Sequence, residues 1–223
     1  TTKEAVTAMK TDIVLTNIAG DDHAIGYVSL GSLNENIKTI AIDGIVPNSE
    51  TVKDGSYPIA RPFNIATKLA LTEVAQDFID FIMSKEGQDV VAKSYIRVDE
   101  EAIAYNGKKP SGKIVVAGSS SVSPVMEKLK EAYEIVNPNA TVEVQQSDSS
   151  AGMTAVLEGN CDIGMASRNL KDSEKENLNA TAIALDGIGV IVNPNNPLTE
   201  LSTEQVRGIF IGNILNWSEL SAK

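Results

Sequence analysis

KIVVAGSSSVSPVMEKLKEAYEIVNPNATVEVQQSDSSAGMTAVLEGNCDIGMASR, residues 113–168, decides the fold. Lys113 to Ala117, Thr141 to Val144 and Asp162 to Ala166 are apolar β-type runs, and Pro124 to Val136 and Gly152 to Glu158 between them carry apolar residues at helical spacing. Strand, helix, strand, helix, strand is the alternation of a parallel sheet with right-handed crossovers. Each strand ends in small hydroxyl residues: Gly118-Ser119-Ser120-Ser121-Val122-Ser123-Pro124, Ser147-Asp148-Ser149-Ser150-Ala151-Gly152, and Ala166-Ser167-Arg168. Open α/β sheets bind ligands at the carboxyl ends of neighbouring strands, and the first two loops lead into helices whose unpaired N–H groups face whatever sits above them. A small oxyanion such as phosphate fits that description.

In the first loop Ser123 and Pro124 read as a helix cap and the first helical residue, with Ser119, Ser120 and Ser121 standing just before them. The second loop places Ser149 and Ser150 before Ala151 and Gly152, where glycine lets backbone approach a ligand closely. A helix start carries the equivalent of roughly half a positive charge, worth up to about 1 kcal/mol to an exposed anion. At the third loop, Ser167 adds a hydroxyl and Arg168 is the only cation seen at these loop ends, able to pair bidentately with two oxygens of a tetrahedral anion. The alternative is that Arg168 pairs with an acidic neighbour. Asp148 reads either as the acceptor for the proton of a monohydrogen oxyanion, favouring phosphate over sulfate, or as a helix cap. Asp186 is a second candidate for the acceptor role. One serine loop alone is more often a turn or a cap; three on adjacent strands carry the argument.

Composition bounds the rest. The chain has 223 residues, 42% hydrophobic and 22% charged, enough for one large domain or two lobes. A net charge of -11 argues against nucleic acid and anionic membrane surfaces as partners. One Cys excludes an intramolecular disulfide, and one His beside it leaves little scope for a zinc site or a Cys/His nucleophile pair. No catalytic residue, metal or cofactor is therefore expected. Cys161 reads as a small buried residue, His23 as an exposed turn residue, and Trp217 as packing a helix end. No signal peptide opens the chain, and no apolar stretch is long enough to span a bilayer.

Forward along the chain, the patterns predict a helix over Glu4 to Lys10, a strand over Ala24 to Leu30 and a short strand from Ile37 to Ile42. Tyr57 to Phe63 is extended because its prolines exclude helix, which suits a crossover between lobes. Two helices follow between Leu71 and Lys93, broken near Ser84 to Gly87, then a linker at about 99–112. Thr181 to Asn193 reads as a strand interrupted at Asp186-Gly187, and Thr203 to Phe210 and Trp217 to Leu220 as short closing helices.

These residues make the chain resemble the phosphate-binding solute-binding proteins of ABC uptake systems (PstS-like, periplasmic-binding-protein-like). Lys113 to Leu220 is similar to that family's amino-terminal half through GSSSVSP, the loop at Ser149, CDIGMASRNLK from Cys161, ALDGIGVIVNPNNP from Ala184 and IFIGNILNWSEL from Ile209. Ala24 to Val98 is similar to its carboxyl-terminal half through AIGYVSLGSL, IDGIVPN, GSYPIARPF and SKEGQDVVAKSYIRV. The order of the halves is reversed. No counterpart of the family's Gly-Ser-Gly-Thr-Arg-like loop is found, and Ser147-Asp148 stands where the family usually has glycine. The resemblance implies a two-lobed α/β type II fold, permuted or trimmed, with the second lobe complete or incomplete according to the fate of that loop. Residues 57–192 would form a contiguous lobe holding the serine loops, and 1–50 plus 193–223 a split second lobe. It also implies phosphate contacts at Ser120 and Ser121, at Ser149, and at Ser167 with Arg168 adjacent.

The leading expectation is extracytoplasmic capture of inorganic phosphate for an ABC permease, by a periplasmic or cell-surface lipoprotein that meets the membrane only through a lipid anchor absent from this chain. The alternative is a repurposed scaffold that has lost its ligand and acts as a sensor or interaction module, which the missing loop and Asp148 favour and the intact serine loops oppose. An enzyme on a similar fold is a third class, opposed by the lack of a general base near the loops.

Overall fold

The computed structural model describes residues 1–8 and 10–221. The first half runs α1 (Thr11–Ala19), β1 (Ile25–Ser29), β2 (Lys38–Thr39), β3 (Ala41–Ile42), α2 (Ser49–Lys53), β4 (Ala60–Thr67), α3 (Glu73–Met83) and α4 (Lys85–Val91). The second half runs β5 (Gly112–Ser119), α5 (Ser123–Val136), β6 (Ala140–Ser147), α6 (Ser149–Glu158), β7 (Ile163–Ala166), α7 (Asp172–Lys175), β8 (Asn179–Val192), β9 (Glu200–Leu201) and α8 (Thr203–Ile211).

Parallel β6, β5 and β7 form the strand group that residues 113–168 predict, with β5 in the middle. The crossover through α5 returns the chain to one side of β5, and the one through α6 carries it past β5 to the other. All three strands then point their carboxyl ends the same way. The sheet continues antiparallel through β4 to β8, and β8 also pairs with β1 and β2. β8 is the shared element: Asn179 to Gly187 runs beside β4, and Ile188 to Val192 runs beside β1. The expected interruption at Asp186-Gly187 is absent, because Arg61 and Ala60 take those two residues as ladder partners. Pro62 has no N–H to donate, and it lies where β4 pairs only with β8, before β7 joins at Asn64.

Apolar spacing explains the packing. Val74, Phe78, Phe81 and Ile82 of α3 and Val125, Met126, Leu129 and Tyr133 of α5 are buried in one cluster with Phe63, Ile114 and Ile163 of the sheet. A second cluster gathers Ile40, Ile42, Val52, Tyr57, Val190, Val192 and Leu201. Ser84 explains the break between α3 and α4: its hydroxyl accepts from the Gly87 N–H at 3.3 Å, capping α4 where α3 stops. The strand expected from Ile37 to Ile42 is split. β2 lies on β8 while β3 pairs with β9, and the fully buried Ile40 fills the handover.

No helix covers Glu4 to Lys10; of that segment Met9 lies outside the described residues, as do residues 222–223 of the closing segment. The first helix is α1 instead. Ser123 is already the first residue of α5 rather than its cap, and its hydroxyl donates to the Ser119 carbonyl at 3.1 Å. Cys161 is buried and His23 is exposed beside Asp21, while the Trp217 indole N–H reaches the His23 carbonyl. Among the described residues no helix is long and apolar enough to cross a membrane.

Candidate functional site

The strand ends bring the serines together. Ser119, at the end of β5, donates from its hydroxyl to the Ser167 hydroxyl after β7 at 3.0 Å. Ser149, at the first position of α6, accepts the Ser167 N–H at 3.2 Å, so all three loops are linked by direct hydrogen bonds. Ser119 and Ser120 are buried, Ser121, Ser149 and Ser167 are half-buried, and Ser150 is exposed. The backbone N–H of Ser120 is occupied by the Ser147 carbonyl at 3.0 Å, leaving its hydroxyl as its contribution to a ligand.

Across from these loops stands the start of α1, whose Thr11 hydroxyl lies 3.2 Å from that of Ser120. Between them opens a cleft of about 1190 Å³, whose lining includes Thr11, Val14, Tyr27, Arg61, Ser120 and Ser121. The sequence reading missed Thr11 because it placed the helix one segment too early.

Arg168 is occupied elsewhere. Its two terminal nitrogens each donate at 2.8 Å to one oxygen of Glu174, and that charge holds the Glu174 carboxyl below its usual range. Nη2 of Arg168 also reaches the Ser150 hydroxyl at 3.3 Å. Asp148 caps α6, its Oδ1 accepting from Ser150 N at 2.8 Å and Ala151 N at 3.0 Å. Asp186, fully buried, accepts from the Ser29 hydroxyl at 2.7 Å on Oδ1 and from Arg61 Nε at 3.1 Å on Oδ2. Burial pushes its carboxyl up to about 6 against the opposing pull of the Arg61 charge.

The second missed residue is Arg61 of β4. It stands opposite Asp186 in the ladder, reaches the Ser167 hydroxyl with Nη1 at 3.4 Å, and lines the cleft with Ser120 and Ser121. The available signal was a lone cation in an extended stretch, Tyr57 to Ala66, that is apolar apart from Arg61 and Asn64. Among the described residues no group of His, Cys, Asp and Glu is arranged to hold a metal ion.

Residues 104–223, which carry β5 to α8 and the three hydroxyl loops, match the PBP superfamily domain. The chain is 52% identical over 224 residues to the phosphate-binding protein PstS 2 of Streptococcus agalactiae, covering 99% of this chain and 76% of that protein. It is 45% identical over 221 residues to PstS 2 of Streptococcus pneumoniae, covering 99% of this chain and 76% of that protein. The chain belongs to the PstS family of phosphate-binding proteins. A crystal structure of the phosphate-binding protein of a phosphate ABC transporter from Streptococcus pneumoniae superposes with a TM-score of 0.77 at 45% identity, over 99% of this chain and 86% of that one.

The PstS protein of Bacillus subtilis is 33% identical over 125 residues, only 54% of this chain. An end-to-end alignment preserves residue order. The order of halves read here as reversed is therefore also the order in the streptococcal relatives.

Proposed function

We propose that this protein binds inorganic phosphate outside the cytoplasmic membrane and hands it to an ABC transporter permease without chemistry on the ligand. The observation that carries the proposal is the hydrogen-bonded convergence of Ser119, Ser167 and Ser149, which Arg61 joins through the Ser167 hydroxyl to a cleft lined by Arg61 itself, Ser120 and Ser121. Hydroxyls suit this ligand because each can donate to a phosphate oxygen or accept its proton. Membership of the PstS family supports both the ligand and the transport role. The proposal includes two lobes, 57–192 and 1–50 plus 193–223, clamping the ligand between them; the cluster around Phe63, Phe78 and Ile163 supports the first, whereas Tyr57, Ile96, Val190 and Val192 pack with Ile40, Val52 and Leu201 in the second cluster. The last five residues of β8 lie with the second lobe through β1.

One observation favours a scaffold without ligand: Asp148 occupies two N–H groups at the start of α6, and Glu174 occupies Arg168. Isothermal titration decides between the readings. Phosphate is titrated into phosphate-free protein, with sulfate as the control. Saturable, phosphate-selective heat supports binding, and no heat with either anion from folded protein supports the scaffold.

A further inference from the structure

We propose that Arg61, on β4, is the cationic ligand of the bound phosphate, and that Asp186, itself fixed by Ser29, is the residue that positions it. The inference rests on the phosphate reading above and assigns the charge in that site. An anion in the cleft has two arginines near the serine loops, and their surroundings differ. Both terminal nitrogens of Arg168 are committed to Glu174, whose buried carboxylate also accepts the Lys171 N–H at 2.7 Å. Turning Arg168 to a ligand would strand that carboxylate, and an unpaired buried charge is strongly unfavourable.

Arg61 is anchored the other way round. Its Nε is tied to Asp186, while Nη1 makes only the long 3.4 Å contact to Ser167 and Nη2 makes no hydrogen bond among the described residues. A guanidinium held by Nε keeps its Nη1–Nη2 edge for bidentate pairing with two oxygens of one anion. That edge belongs to a residue lining the cleft and already touches a hydroxyl of the three-loop network. The side chain is 18% exposed, so little water competes for it.

Asp186, which the sequence offers as an acceptor for the ligand's proton, is placed instead to hold Arg61 and is not among the residues lining the cleft. Both of its oxygens are engaged, one by Ser29 and one by Arg61, and the residue is fully buried. Its place opposite Arg61 in the β4–β8 ladder makes the pair a cross-strand unit whose angle is set by the sheet. Ser29 ends β1, so the positioning network spans the two stretches of sheet that share β8.

The test titrates inorganic phosphate into the unaltered chain and into Arg61→Gln, Arg61→Lys, Asp186→Asn and Arg168→Gln, each checked by circular dichroism and thermal melting. Loss of a bidentate charge-assisted pair predicts at least about 100-fold weaker binding for Arg61→Gln, with Arg61→Lys recovering part of it. Asp186→Asn is expected to lose about tenfold, and Arg168→Gln to stay within about threefold. Phenylglyoxal modification read by mass spectrometry adds a measurement on the unaltered chain, so the assignment stays testable if Arg61→Gln does not fold. Phosphate should protect Arg61 and not Arg168, and in folded Asp186→Asn that protection should weaken. Binding by Arg61→Gln equal to that of the unaltered chain, or protection of Arg168 instead, overturns the assignment while leaving the phosphate reading intact. No binding by the unaltered chain overturns both.

Discussion

Gly152 of α6 faces Gly118 at the end of β5 so closely that a Cβ on Gly152 would stand 2.7 Å from the Gly118 Cα and 2.8 Å from the Ala117 carbonyl oxygen. Gly118 itself has φ of 134°, a conformation that favours glycine, and a Cβ there would meet the Met165 carbonyl oxygen at 2.4 Å. This contact lets α6 sit low enough on the sheet for Ser149 to accept the Ser167 N–H. Gly152→Ala is therefore expected to destabilise the protein by about 1–3 kcal/mol, because the obstacles are backbone atoms that cannot rotate away. It should also weaken phosphate binding by lifting Ser149 out of place. Urea denaturation and phosphate titration check the two effects; an unchanged midpoint would mean that α6 shifts without cost.

The serine hydroxyls are expected to differ in what their removal does to the apo protein. Among the described residues the Ser120 side chain is bonded only to Thr11, whereas Ser149 holds the Ser167 N–H. On the proposed phosphate reading, replacement of either by Ala is expected to remove one hydrogen bond to a charged ligand, about 1.5–3 kcal/mol of binding. Ser149→Ala should in addition lower the melting temperature, since a part-buried N–H loses its acceptor. Calorimetry with and without phosphate separates the two. Equal apo melting curves for both variants would remove Ser149 from its structural role.

The pH dependence of stability carries a sign set by Asp186. Its carboxyl is pushed up to about 6 by burial, while an unfolded Asp titrates at about 3.9. The folded protein thus holds a proton that the unfolded chain has released. This group's contribution is fully present below about pH 4 and is lost as pH rises through about 6, a change of roughly 3 kcal/mol. Glu174, held low by Arg168, and Glu86, held low by the Tyr105 N–H, pull the total the opposite way. The comparison is therefore with Asp186→Asn. Unaltered protein should lose stability relative to this variant between pH 4 and about 6 in urea titrations, and parallel profiles would place the titration elsewhere.

The parallel strands and their helices were legible because Ile114 to Ala166 alternates short continuous apolar runs with segments of helical spacing, and β5 and β7 are buried as such runs. Convergence of the serine loops followed from strand direction alone. What was not legible depends on distant partners. Arg61 gains its meaning from Asp186, 125 positions away, and its local sequence marks it only as the one cation of an extended stretch. Arg168 is committed to Glu174, six positions on, because the short α7 turns that carboxylate back. α1 was misplaced because Thr1 to Lys10 is rich in helix formers while Thr11 to Ala19 contains several β-branched residues, and packing of Ile18 with Val28 and Ile191 decided for the latter.

The linker between the halves is fixed more firmly than its polar composition predicts. Asp77 of α3 is buried and accepts from Tyr105 Oη at 2.6 Å, Tyr133 Oη at 2.7 Å and the Lys108 N–H at 3.1 Å. Burial first, and then the Asp77 hydrogen bond, raise both tyrosine hydroxyls above their ordinary range, so they remain donors at neutral pH. One carboxylate therefore pins residues 105–108 to both α3 and α5. Asp77→Ala leaves two hydroxyls and an N–H without their acceptor and should cost about 2–4 kcal/mol, most of it from the fully buried Tyr133, since Tyr105 is half-buried and Lys108 exposed. Asp77→Asn keeps the shape and one acceptor and should cost less than half of that. Tyr105→Phe removes a single bond and should cost about 1–2 kcal/mol. Limited proteolysis supplies the second readout: cleavage between Ile103 and Lys109 should accelerate in Asp77→Ala well below its melting temperature. Equal cleavage rates in variant and unaltered protein would mean that the linker is held by its backbone alone, and that its place between the two halves does not depend on Asp77.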